Sequence, residues 1–125
     1  MRIKEILYEL PVLHQQAINE IRLRVGRPVT LHTPTRVDIL KHNGQPVVTE
    51  KQDIEESYRR ICDFSIYSHQ EEIKKGYITI MGGHRVGISG TAVLQQGQIA
   101  TVREISSLNI RVARQVYGAA NELLS

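Results

Sequence analysis

The chain has one cysteine, Cys62, so no disulfide can form within it, and a reducing, cytosolic setting is the default expectation. It has no apolar run long enough to span a bilayer. The N-terminal stretch MRIKEILYELPVL carries Glu5 and Glu9 and no small-residue cleavage site, which argues against a signal peptide. Aromatic residues are scarce, at 5%. Phe64 and Tyr67 fall in a connection, and only Tyr77 falls in a segment that reads as a strand. The stacking platforms of single-strand nucleic-acid binders are therefore missing. The five histidines, His14, His32, His42, His69 and His84, keep no metal-ligand spacing with one another or with Cys62. Ser106-Ser107 lacks a nucleophile elbow, and Glu55-Glu56 and Glu71-Glu72 read as solvated helix faces. No catalytic constellation and no metal site is expected. There are no repeats and no low-complexity segments.

What is present is an ordinary globular mixture, 41% hydrophobic and 23% charged over 125 residues, which suits one domain with a genuine core. The net charge is only +3, but its placement is uneven. Arg22, Arg24, Arg27 and Arg36 face one acid, Glu20, between Glu20 and Val37. Arg85, Arg103, Arg111 and Arg114 face one acid, Glu104, between Tyr77 and Val116. Arginine gathered on strands suits bidentate recognition of carboxylates or phosphates.

Hydrophobic periodicity orders the chain. Ile3, Ile6, Leu7 and Leu10 repeat at helical spacing, and Pro11 stops them. HQQAINE is ambiguous. EIRLRV alternates as a strand, with Ile21, Leu23 and Val25 inward and Glu20, Arg22 and Arg24 outward. VTLHT and RVDILKH read as further strands. Asn43-Gly44 is a turn, and Pro46 limits pairing beyond it. Thr49 and Gln52 form a capping box for a helix to about Cys62, with Ile54, Tyr58, Ile61 and Cys62 on one face. Ser68 and Glu71 form a second box, and Gly76 is a stop. YITIM, HRVGISGTAVLQ and QIATVREI follow as a three-strand antiparallel meander. SLNIRVAR fits a strand or a helix; a strand is favoured, with a helix from about Gln115 to Leu124. The expected fold is α+β: two small groups of strands around two or three helices.

The stretch Gly82 to Gly90, GGHRVGISG, imitates a phosphate-binding loop in its glycine spacing. Ile88 stands where the lysine should be, and the β-branched pattern TAVLQ follows where a helix should begin. The alternation of His84, Val86 and Ile88 against Arg85, Gly87 and Ser89 predicts a strand instead. Gly82-Gly83 then makes the hairpin turn, and Gly87 and Gly90 permit a bulge or a close backbone approach.

Three blocks in order, EIRLRVGRPV, GYITIMGGHRVGISGTAV and VREISSLNIRVARQV, resemble the N-terminal region of the stage III sporulation protein AA family. ICDFSIYSHQEEIKKG lies between the first two, and the likeness runs from about Ile18 to Leu124. The resemblance implies a PAS-like N-terminal α+β domain, followed in the family by a RecA-like motor related to the hexameric ATPases of type II and type IV secretion. It implies work at a channel between mother cell and forespore, on the cytoplasmic, mother-cell face of a membrane. The chain is then expected to be an N-terminal domain, residues 1–125, without its motor. It would be non-catalytic, with ATP and Mg bound only by the motor. Expected partners are its own C-terminal ATPase domain, neighbouring subunits and membrane-channel components. By likeness to secretion ATPases, Arg85 and Arg103, with Arg111 behind them, are the candidates to sense nucleotide in trans. The simpler alternative pairs Arg85 with Arg103 across strands on a solvated face. A nucleic-acid-binding module and a free-standing adaptor remain as rival functions.

Overall fold

A computed structural model describes residues 2–63, 76–80, 82–95 and 98–112, with backbone alone for 91–95 and 98–103. The elements run α1 (Arg2–Tyr8), α2 (Val12–Ala17), β1 (Glu20–Arg24), β2 (Thr30–His32), β3 (Val37–Ile39), β4 (Lys41–His42), β5 (Gln45–Pro46), α3 (Lys51–Asp63), β6 (Tyr77–Thr79), β7 (Arg85–Gln95) and β8 (Gln98–Arg111). The fold is α+β with antiparallel pairing throughout the described ladders.

The two expected strand groups are one sheet. Its order is β3-β2-β1-β8-β7-β6, because β8 pairs with β1 as well as with β7. QIATVREI and the SLNIR of SLNIRVAR are not separate elements; they are the two halves of β8, which ends at Arg111. That strand is long because it has a partner on both sides near its C-terminal end. Period-2 alternation then buries one face: Ile78, Val86, Leu31, Leu23 and Leu108 are all within 1% of complete burial. Ile3 and Ile6 of α1 and Ile54 and Ile61 of α3 cover them, and Ile18, Val29, Leu40 and Val47 close the core from the connections. Burying such side chains stabilises the fold by about 1.5–3 kcal/mol each.

Local chemistry departs from the sequence expectation at several points. The cap of α3 is not Thr49 with Gln52. Asp53, buried, accepts the Glu50 backbone N–H at 2.8 Å and binds the Arg2 guanidinium, so α1 is fastened to the start of α3. Gln52 instead donates to Glu56 at 3.1 Å, and the Thr49 hydroxyl is buried without a partner among the described residues. Pro46 does not end the pairing: Val47 N–H donates to Leu40 and Val29 N–H donates to Val47. Proline costs one donor, and its neighbour carries the ladder on. The ambiguous HQQAINE contributes to α2, whose Gln15 side chain donates to the Leu10 carbonyl at 2.7 Å. The alternation points Val25 inward, but it is 43% exposed, because β1 ends at Arg24 and the chain turns through Gly26. The Ser68–Glu71 box and the helix from Gln115 lie outside the described residues.

At the GGHRVGISG stretch the chain turns at Gly82 and Gly83, with φ of +93° and +81°, and continues as β7 through Gly90. No helix starts there. The β7–β8 register passes from Ser89↔Ser107 to Thr91↔Arg103, so an irregularity brackets Gly90, and Glu104 opposite adopts a φ of +47°. Gly87 is different. A methyl group on it would meet the Asn109 Cβ at 3.6 Å, ordinary contact, so no close approach demands glycine there.

Candidate functional site

The helices occupy one face of the sheet, and among the described residues the other face carries no covering element. Register alone writes out that open face. Thr79, Arg85, Arg111, Glu20, His32 and Val37 form one row across all six strands. Tyr77, Gly87, Asn109, Arg22, Thr30 and Ile39 form the next, and Ser89, Ser107 and Arg24 begin a third. The arginine-rich strands of the two halves of the sequence thus meet side by side.

Glu20 organises the first row. It is only 8% exposed, although the alternation put it on the solvent side. Arg22 donates to it through Nε at 3.0 Å, and Arg111 donates through Nε at 3.3 Å from the neighbouring strand. His32 Nδ1 stands 4.0 Å away, and its Nε2 contacts the Thr30 hydroxyl at 3.2 Å. Burial pushes the Glu20 carboxyl upward, but the guanidiniums of Arg111 and Arg22 outweigh it and hold the group below the usual carboxylate range. Arg85 lies directly opposite Arg111 and stacks over the Tyr77 ring, 4.9 Å from its centroid.

The three candidate arginines are therefore not all brought together. Arg85 and Arg111 share a row. Arg103 lies opposite Thr91, and the stretch of β7 from Arg85 to Thr91 spans roughly 20 Å of extended chain. Arg85 and Arg103 do not pair across strands, which corrects the simpler alternative: the partner of Arg85 is Arg111, because β8 pairs with β7 over nearly its whole length.

Beside this row a groove of about 340 Å³ opens, lined by Arg22, Arg24, Arg27, Pro28, Thr30, His32, Val37 and Ile39. Arg22 is held by Glu20, whereas Arg24 and Arg27 have no ion pair among the described residues. The strand alternation places Arg22 and Arg24 on one face but does not mark Glu20 as the anchor of Arg22. The signal was available in part: Glu20 is the one acid among four arginines in its segment. Only the β1–β8 pairing reveals that Arg111 shares it. Among the described residues no cluster of histidine, cysteine and carboxylate side chains could hold a metal ion. Cys62 is half-buried against Tyr58, and burial raises its thiol pKa, so it has none of the character of an activated nucleophile.

Residues 1–125 match the family described as Sporulation stage III, protein AA. The chain belongs to that family. Stage III sporulation protein AA of Bacillus subtilis (strain 168) is 39% identical over 125 residues, an overlap that takes in 97% of this chain and 38% of that relative's length. No solved structure matches. Membership in the stage III sporulation protein AA family supports a role in sporulation. No helix among the described residues is long and apolar enough to cross a membrane.

Proposed function

We propose that this chain is a non-catalytic N-terminal domain that regulates and assembles a secretion-type hexameric ATPase used in endospore formation. In this reading it has a PAS-like fold and works on the cytoplasmic, mother-cell face of a membrane channel. Its partners are its own motor domain, neighbouring subunits and channel components, and the motor alone binds ATP and Mg. The observation that carries the reading is the open sheet face, where Arg85 and Arg111 stand in one row beside the single carboxylate of Glu20. Supporting it are the family match over the whole chain and the absence of a lysine-bearing phosphate loop from the sequence. A guanidinium delivered from one subunit can neutralise phosphate charge developing in another. Arg85 and Arg111 are the pair suited to that role, and Arg103 would have to act at a separate point.

The test uses a full-length protein that joins this domain to a phosphate-loop motor. Arg85→Ala and Arg111→Ala should each lower ATP turnover by about tenfold or more, since arginine fingers supply large factors in phosphoryl transfer. Unchanged turnover together with unchanged ring assembly would remove the trans-arginine role.

A further inference from the structure

Five of the seven exposed large hydrophobic side chains among the described residues fall into two groups. Tyr8, Val12 and Leu13, at 67%, 65% and 81% exposure, form the corner between α1 and α2, which Gln15 clamps by donating to the Leu10 and Tyr8 carbonyls. Val37 and Ile39, at 60% and 47%, line the groove on the open sheet face. The two groups differ in charge. Exposed Glu5 and Glu9 flank the corner and outnumber Lys4, whose Nζ stands 5.8 Å over the Tyr8 ring, while Arg2 is paired with Asp53; Arg24 and Arg27 flank the groove. Glu5 has no ion pair among the described residues, and Glu9 contacts only the exposed His42 ring, at 3.1 Å.

They also lie on opposite sides of the sheet. α2 is on the helical side, where His14 Nε2 is 3.3 Å from Asp38 Oδ2, and Asp38 belongs to the inward row. Val37 and Ile39 flank Asp38 in β3 and point the other way. One molecule therefore cannot satisfy its own groove with its own corner. A second copy can, and each copy then presents a fresh groove or a fresh corner.

We propose that the Arg24, Arg27, Val37 and Ile39 groove receives the α1–α2 corner of a neighbouring copy, with Glu5 and Glu9 meeting the arginines and Tyr8, Val12 and Leu13 covering the aliphatic floor. The contact is heterologous, head to tail, and closes into a ring or extends as a filament according to its rotation. It rests on the assembly reading above and deepens it by naming the two surfaces.

Sedimentation velocity of this 125-residue chain over a concentration series tests it. Wild type should self-associate, more weakly as salt rises. Arg24→Glu with Arg27→Glu should weaken association by about tenfold or more. Glu5→Arg with Glu9→Arg should do the same. All four changes are on exposed side chains, and thermal melting should show folds within a few degrees of wild type, about the range expected for surface substitutions. Mixing the two double variants is decisive. Each is repelled by its own kind but complements the other at both surfaces, so the mixture should associate again with the two variants alternating, and the quadruple variant, with both charges reversed, should recover association by itself. A wild type that stays monomeric, or double variants that associate normally, overturns the proposal. Binding of a short single-stranded oligonucleotide that is lost in the Arg24→Glu, Arg27→Glu variant would also overturn it, by giving the groove to nucleic acid. None of these outcomes touches ATP turnover through Arg85 and Arg111, so the two readings fail separately.

Discussion

Replacing Glu20 with glutamine should loosen the arginine face while leaving the fold intact. The side chain keeps its shape but loses its charge. Two charge-assisted hydrogen bonds weaken at once, from Arg22 at 3.0 Å and Arg111 at 3.3 Å. Buried charged hydrogen bonds contribute about 1.5–3 kcal/mol each. Here the guanidinium ends reach water: the side chains of Arg22 and Arg111 are 38% and 77% exposed. Exposed pairs contribute only about 0.2–1 kcal/mol, so that lower range applies to Arg111 and the upper part of it to Arg22. Arg85 and Arg111 also face each other with less charge to offset them. The sum is about 1–2 kcal/mol, or a fall in Tm of about 3–8 °C for a domain of this size. A thermal or urea double-mutant cycle with Arg111→Ala isolates the pair, and the coupling should be about 0.5–1 kcal/mol. Zero coupling, or a more stable Glu20→Gln protein, would refute the claim that Glu20 anchors both strands.

The same carboxylate sets a pH dependence. Its folded pKa is depressed, so its contribution is present above the unfolded glutamate value of about 4.3 and is lost as pH falls through the folded value; urea midpoints of wild type should drop below that pH more steeply than those of Glu20→Gln. Leu108, 1% exposed beneath α3, should cost about 2–5 kcal/mol when cut to alanine, read as a shift in urea midpoint. Gly82→Ala and Gly87→Ala should separate. The first places alanine at a φ of +93° with its Cβ 2.9 Å from His84 Nε2 and should cost about 1–2 kcal/mol, whereas the second should change stability by less than about 0.5 kcal/mol; equal effects would refute the turn assignment.

Much of the fold was legible because it depends on local period. Ile21 and Leu23 against Arg22 and Arg24 announce β1, and Val86 and Ile88 against Arg85 and Ser89 announce β7. Ile54 and Ile61 at helical spacing announce α3. What could not be read is whatever depends on partners distant in sequence. Nothing near Glu20 says that Arg111 is its neighbour, since the β1–β8 pairing joins the two ends of the described chain. The same pairing turns two strand groups into one sheet. Capping failed for a related reason. Thr49 and Gln52 satisfy the local pattern, but Arg2, far away in sequence, makes Asp53 the better acceptor at that helix start.

The glycine-rich stretch shows why spacing alone is a poor guide to chemistry. A phosphate loop and a tight hairpin both need backbone that tolerates positive φ, so both place glycines close together. What distinguishes them is the element that follows. A helix would aim its free N–H groups at one point and could hold a phosphate there. β7 instead spends its N–H groups on β6 and β8, with Val86 opposite Ile78 and Ile110. Its side chains, not its backbone, are left to meet a ligand, and the one exposed cation that Gly82 and Gly83 bring onto this face is Arg85 at the first position of the strand. The turn therefore sets where Arg85 starts relative to Arg111. A Gly82→Ala change that shifts the hairpin should reach phosphate chemistry in a joined motor through Arg85, and the Arg85→Ala background should be insensitive to it.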